Sequence, residues 1–278
     1  YHAFYNLMSD QVPDLKEKAR LTDNIYDYWW VSQGKVTVDS IDDKEDMGFA
    51  DEAFNILGFS EEEKYNCYKL TAVVMHMGNL TKDFVPVGKD EQAEIKEETN
   101  ARKVAELTGI DTEWMITYFC KPKLTVGTEW VSKGQTCNGA ASSVSGIGRS
   151  IYERVFRFIV DKCNETLIDP TMKKVQYIGV LDIAGFEIFD YNGFEQICIN
   201  FCNEKLQQFF NQHMFVLEQE EYTREGIEWA NIDFGMDLQK CITMFEKPMG
   251  LLAILEEESL FPKATDLTFA NKLHENLL

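Results

Sequence analysis

The segment Val175-Gln176-Tyr177-Ile178-Gly179-Val180-Leu181-Asp182 sets the tightest limit on what this chain can fold into. Apolar side chains fill nearly every position up to Leu181. That pattern predicts a strand buried on both faces, as in the centre of a parallel sheet rather than at its edge. The run ends at an acid, Asp182, with Gly185 three residues on and a second acid, Glu187, close behind. Ligands of open α/β sheets sit in the crevice beyond the carboxyl ends of the strands. An Asp there is placed to hold Mg²⁺ on a bound nucleotide, and a glycine lets a backbone N–H approach a phosphate closely. Taken alone, the run reads equally well as a piece of core that ends in Asp.

At 278 residues the chain is long enough to bury a substantial core in one or two domains. It opens at Tyr1 with no signal or transit pattern, and no apolar run nears the roughly 20 residues that span a bilayer. A net charge of −20 argues against nucleic acid or an anionic membrane as principal partner. Acids crowd between Asp39 and Glu63, most simply as solvated helix faces and loops. Seven cysteines without a Cys-x-x-Cys pair fit a reducing cytosol better than a disulfide framework. Cys198 and Cys202 stand one helical turn apart, but His213 is too far on to complete a ligand set, so core packing is the better reading. His2, His76 and His274 are isolated and support no triad or metal site.

In chain order, residues up to about 173 read as mostly helical. Helical character extends over 8–21, and 35–38 is a short strand before the acidic loop. A helix over 51–57 ends at Gly58. Ser60 with Glu63 three residues later is a capping box opening the next helix, which runs to a stop at Gly78. Residues 90–99 are charged and weakly periodic, a surface loop or frayed helix. Over 122–132, alternating apolar residues flank Gly127-Thr128, a β-hairpin with a type II′ turn; an ordinary surface hairpin is the plainer alternative to a binding loop. A helix over 142–167 carries Val144, Ile147, Ile151, Val155, Phe158 and Ile159 on one stripe and leads through Asp169-Pro170 into the apolar run.

Beyond Glu187, Asn192 caps a long helix with Glu195 at its third position. From 193 to 225 that is roughly 50 Å of helix at 1.5 Å per residue. Its aromatics Phe201, Phe209 and Phe210 read as plain core or as part of a lever. The end of the chain reads as helix, loop, helix, with Pro248 in a first helical turn and Pro262 breaking the chain before a helix from Asp266.

Two stretches carry a family resemblance. Asp182-Ile183-Ala184-Gly185-Phe186-Glu187 resembles the switch II loop of myosin motors. Phe194-Glu195-Gln196-Ile197-Cys198-Ile199-Asn200-Phe201-Cys202-Asn203-Glu204-Lys205-Leu206-Gln207-Gln208-Phe209-Phe210 is similar to the relay helix that follows it. Ser32-Gln33-Gly34, Leu57-Gly58-Phe59-Ser60 and His76-Met77-Gly78-Asn79 resemble the upper actin-cleft subdomain, with the Trp29-Trp30 pair as a departure. The chain looks like an internal piece of a conventional, class II, muscle-type myosin heavy chain.

That resemblance implies an α/β, predominantly helical piece of a P-loop NTPase-type motor domain with part of its central sheet. It divides into an upper cleft subdomain (1–174), central strand and switch II (175–191), relay helix and loop (192–237) and lower cleft subdomain (238–278). The implied cofactors are ATP and Mg²⁺, met by Asp182, Ile183, Ala184, Gly185 and Phe186. Asp182 holds the Mg²⁺ shell through water, the Gly185 N–H bonds the γ-phosphate, and Glu187 positions the lytic water. Phe201, Phe209, Phe210, Ile227 and Phe234 form the relay, with Trp229 its fluorescent sensor. The implied partner is the actin filament, met by Lys123, Val126, Gly127, Thr128 and Glu129 of the hairpin. A second contact comes from Met249, Gly250, Leu251, Leu252, Phe261, Pro262 and Lys263. Light chains and heavy-chain dimerisation are implied through regions outside these residues, in a cytoplasmic myosin complex of the muscle thick filament, without nucleic acid or membrane. No Gly-x-x-x-x-Gly-Lys-Ser/Thr pattern and no switch I occur, so the piece is expected to be inactive by itself. The alternatives are a non-catalytic helical interaction module and a GTPase-type switch protein; the relay-helix and cleft motifs disfavour both.

Overall fold

A computed structural model describes the chain apart from residues 90, 169–170, 172–175, 177, 234–237 and 278, and the side chain of residue 126. It divides into two units, residues 1–173 and 174–278.

The first unit runs α1 (Ala3–Asn6), α2 (Leu15–Lys18), two 3-10 turns (Ile25–Asp27 and Trp29–Val31), α3 (Asp43–Ile56) and α4 (Glu61–Leu80). The strands β1 (Phe84–Val87) and β2 (Gln92–Ile95) follow, then α5 (Thr99–Thr108), α6 (Thr112–Cys120), β3 (Lys123–Val126), β4 (Glu129–Ser132) and α7 (Cys137–Leu167). Ser60 opens α4 with the expected capping box. Its hydroxyl accepts from Glu63 N–H at 3.2 Å, and the Glu63 carboxylate accepts from Ser60 N–H at 2.9 Å. α4 is apolar on several sides because it is buried on several sides. Val73, Met77 and Leu80 pack with Val104 and Leu107 of α5, Met115 and Phe119 of α6, and Ala140 and Val144 of α7. Tyr68, Ala72 and Met75 close a second core on Leu7, Leu15, Ala19, Tyr28 and Met47.

Four local expectations change here. Gly78 does not stop α4, which continues to Leu80. A Cβ at Gly78 would lie 2.8 Å from Trp30 Cγ, and one at Gly148 of α7 would lie 2.9 Å from Trp30 Cζ3. The two glycines form a slot for one indole. Over 8–21 only Leu15–Lys18 is helical; Pro13 lacks an N–H, and Asp14 and Arg20 take positive φ at the ends. Residues 35–38 form no strand. Residues 92–95 form β2, antiparallel to β1 in the register Phe84↔Ile95 and Val87↔Gln92. The flanking charges hid a period-2 pattern in which Ala93 is fully buried. Gly58 ends α3 with φ +76° as expected. The β3–β4 hairpin pairs Val126↔Glu129, with positive φ at Gly127 (+64°) and not at Thr128, as a type II′ turn requires.

The second unit holds α8 (Phe194–Asn211), a π-helical segment (Gln212–Leu217) and α9 (Glu218–Arg224) in one continuous rod, then α10 (Gln239–Glu246), α11 (Leu251–Leu260) and α12 (Asp266–Leu277). The largest correction concerns the apolar run. Residues 178–189 carry no regular secondary structure, and Ile178 and Val180 are 97% and 92% exposed; residues 175 and 177 lie outside the described residues. A strand buried on both faces exists only between partner strands and covering layers. The described residues offer two antiparallel hairpins, both in the first unit, and no parallel sheet. The architecture is therefore mostly helical with two small sheets.

The cap of α8 also differs from expectation. Gly193 is the N-cap, and Gln196 Oε1 accepts its N–H at 2.8 Å. Asn192 instead closes a turn on Phe189, accepting its N–H at 3.0 Å and donating to its carbonyl at 2.8 Å. Pro248 sits in the turn before α11, whose N-cap is Gly250. Cys198 and Cys202 are exposed rather than packed in a core.

Candidate functional site

Residues 182–187 lie against the first turns of α8, and the contact is made by amides. Gln196, Asn200 and Asn203 are spaced four and three residues apart, so they share one helix face. Asn200 Oδ1 accepts the Glu187 N–H at 2.7 Å, and Asn200 Nδ2 donates to the Glu187 carbonyl at 2.8 Å. Asn203 Nδ2 donates to the Ala184 carbonyl at 2.8 Å. Gln196 Nε2 reaches the Glu187 carboxylate at 3.3 Å. Glu187 is half-buried beneath these groups, whereas Asp182, Ile183, Ala184, Gly185 and Phe186 are exposed. A Cβ added at Gly185 would meet nothing within 4 Å, so its backbone is open to an approaching anion. The donor set suits a phosphate contact at Gly185 and a carboxylate contact to a hydrated cation at Asp182. Among the described residues no three His, Cys, Asp or Glu side chains gather to cage a metal directly.

Beside this loop lies a cavity of about 790 Å³ lined by Glu187, Gln196, Asn200, Phe201, Phe245, Leu255 and Phe269 among others. Phe201 stacks on Phe245 of α10 with centroids 4.5 Å apart. Lys205 pairs with Glu246 at 2.9 Å, and Gln208 accepts the Leu238 N–H at 2.9 Å. α8 is thus tied to the loop at its start and to α10 further along.

The far end of the rod holds a second amide hub. Gln219 Oε1 accepts from Trp229 Nε1 at 2.8 Å and from Ile232 N–H at 2.7 Å, while Gln219 Nε2 donates to the carbonyls of Ile232 at 2.9 Å and Phe215 at 2.7 Å. Trp229 meets the Tyr222 ring edge-on at 5.0 Å. Phe209, Phe210 and Ile227 are exposed, so they are not core in this unit; Phe234 lies outside the described residues.

Of the expected surface residues, Lys123, Gly127, Thr128 and Glu129 are exposed on the hairpin, beside Trp130 at 70% exposure. Met249, Leu252 and Phe261 are exposed, as are Pro262 and Lys263, and Leu251 is half-buried. Gly250 is buried: a Cβ there would stand 2.7 Å from the Lys247 carbonyl, so it shapes the turn. Met249 and Lys263 take φ of +59° and +65° at the two ends of the α11 segment.

Asp182, Gly185 and Glu187 stand out in the sequence as one acid–glycine–acid loop, whereas Gln196, Asn200, Asn203 and Gln219 belong to no motif. Their signal is weak, since polar residues on a helix usually face water. A repeat of amides at positions 196, 200, 203 and 207 on one face was the available clue.

An exposed acid–glycine–acid loop is hydrogen-bonded to the start of a long helix. Residues 1–277 match the family model described as the myosin head, or motor domain. The chain belongs to the myosin head family, whose members are actin-based motors that hydrolyse ATP.

Proposed function

We propose that this chain is the section of a conventional, muscle-type myosin motor that senses the γ-phosphate and passes its state to the lever. In this reading residues 182–187 are switch II, α8 to α9 are the relay helix, and the loop held by Gln219 is the relay loop. The observation that carries it is the set of four hydrogen bonds from Gln196, Asn200 and Asn203 to residues 184–187. They make the loop and the helix start one mechanical piece.

Bound Mg²⁺·ATP supplies a phosphoanhydride whose cleavage is driven by positioning and electrostatic stabilisation. Asp182 would hold the Mg²⁺ shell through water. The Gly185 N–H donates to a γ-phosphate oxygen, which draws the loop inward. Glu187 orients the attacking water. Because Ala184 and Glu187 are fixed to α8, closure of the loop moves the helix, and a change at the helix feeds back on the loop with the same coupling free energy. The hairpin residues Lys123, Val126, Gly127, Thr128 and Glu129 and the exposed Met249, Leu252, Phe261, Pro262 and Lys263 face actin. Light chains, dimerisation and a place in the thick filament belong to the same conventional-myosin reading. No Gly-x-x-x-x-Gly-Lys-Ser/Thr pattern occurs in the 278 residues, so in this reading turnover needs a phosphate loop from elsewhere in the motor.

In the intact motor, Glu187→Ala is expected to abolish the phosphate burst of a single turnover while ATP binding and ATP-driven release from actin persist. A burst of normal size and rate overturns the assignment.

A further inference from the structure

Asn200 spends its whole amide on one residue. The Oδ1 atom takes the Glu187 N–H at 2.7 Å and the Nδ2 atom gives to the Glu187 carbonyl at 2.8 Å, so the backbone is held on both sides of the Glu187 Cα. Only one orientation of the amide does this, because the flipped group would face donor to donor and acceptor to acceptor. One turn earlier on the same face, Gln196 Nε2 meets the Glu187 carboxylate at 3.3 Å while its Oε1 accepts the Gly193 N–H at 2.8 Å. The carboxylate direction is therefore set by a rigid helix and not by the exposed loop, whose neighbours Ala184 to Phe186 are open to solvent. Catalytic groups act well only when their own direction is fixed by a supporting shell.

We propose that Asn200 is a positioning residue for hydrolysis: it aims the Glu187 carboxylate by clamping both backbone groups of that residue to α8. The proposal rests on the role assigned above to Glu187. Asp at this position keeps the acceptor, loses the donor and sets a second carboxylate beside Glu187; Ala loses both bonds.

The test uses the intact motor and three variants, Asn200→Ala, Asn200→Asp and Glu187→Gln. Each is assayed for ATP binding, for the hydrolysis step by quenched-flow single turnover, and for amide hydrogen exchange in the peptide carrying Glu187. Asn200→Ala and Asn200→Asp are expected to slow hydrolysis at least tenfold, with nucleotide affinity within about threefold of wild type. The Glu187 amide should exchange at least tenfold faster in Asn200→Ala. A lost nucleotide affinity with unchanged hydrolysis of the bound ATP would mark Asn200 as structural only and overturn the proposal. If Asn200→Ala does not fold, Asn200→Asp, nearly the same in shape, carries the test by itself. Hydrolysis within twofold of wild type in a folded Asn200 variant, with Glu187→Gln inactive, overturns the proposal and leaves the Glu187 role standing. A normal burst in Glu187→Gln overturns both.

Discussion

The Trp30 slot allows a prediction whose sign changes with its background. Gly146 and Gly148 both lie in α7, two residues apart. A Cβ at Gly146 would meet nothing within 4 Å, while one at Gly148 would lie 2.9 Å and 3.0 Å from the Trp30 ring. Glycine in a helix interior is less stable than alanine by about 1 kcal/mol. Gly146→Ala should therefore stabilise by about that amount, raising the melting temperature by roughly 2–4 °C for a unit of this size. Gly148→Ala gains the same helix term but overpacks against the indole, which costs about 1–3 kcal/mol, so a net loss of about 1 kcal/mol is expected. Trp30→Leu empties the slot. In that background Gly148→Ala should become stabilising by about 1 kcal/mol, a coupling of about 2 kcal/mol in a double-mutant cycle. Thermal unfolding of the whole chain followed by circular dichroism measures all four proteins. If Gly148→Ala stabilises wild type as much as Gly146→Ala does, or if the cycle is additive to within about 0.5 kcal/mol, the slot is not as described.

Three further outcomes follow from the same structure. The Lys162 ammonium, with the Ser60 N–H and hydroxyl, holds the Glu63 carboxyl down at about 2 from 4.5. That contribution is present above pH 4.5 and is lost as pH falls through about 2. Ser60→Ala should cost about 1 kcal/mol at neutral pH but leave most of this acid window in place, because Lys162 and the residue-60 N–H still hold Glu63; Lys162→Met should shrink the window most in acid titrations of stability. His76 is fully buried, with Nε2 at 2.9 Å from the Ala19 carbonyl and Nδ1 unpartnered, and burial lowers it to about 4 from 6.5. The unfolded chain therefore binds this proton first, so stability should fall by about 3 kcal/mol as pH drops from 6.5 to 4. His76→Gln should remove that slope in urea titrations at stepped pH. In the intact motor, Trp229→Phe should delete most of the nucleotide-dependent fluorescence. Gln219→Leu, in a protein that keeps Trp229, should red-shift the Trp229 emission by freeing its Nε1–H to water, and an unshifted spectrum would show that the hub does not hold the indole.

Features with a local cause could be read from the sequence. The Ser60–Glu63 capping box, the Gly58 stop, the Gly127-Thr128 hairpin and the long helix from Phe194 each depend on residues a few positions apart. Misreadings arose where a distant residue decides. Gly78 looks like a helix stop until Trp30, 48 positions earlier in the numbering, is seen to need the space. β2 is visible only once β1 supplies its register. At the candidate site, Asp182, Gly185 and Glu187 stand out in the sequence because they are close together and chemically loaded. Asn200 and Gln219 do not, because a carboxamide on a helix gives no signal until the chain it grips is in place. The Asn192 cap failed for a related reason: Asn192 had a competing partner in Phe189.

The exposed run and the intact loop clamp have one explanation, the range over which each is stabilised. The clamp joins residues 13 apart (Glu187 and Asn200), 19 apart (Ala184 and Asn203) and 9 apart (Glu187 and Gln196). Closing loops of that length costs little chain entropy, and the cost rises slowly with length. The helix supplies a preformed row of amides, so these bonds form within the unit itself. The apolar residues Ile178 to Leu181 have no such local remedy. Their two faces need strands on either side and layers above and below, and among the described residues no strand pairs with them. The helix thus fixes the shape of the loop through bonds that are short in sequence, whereas the apolar run before the loop pairs with no strand among the described residues.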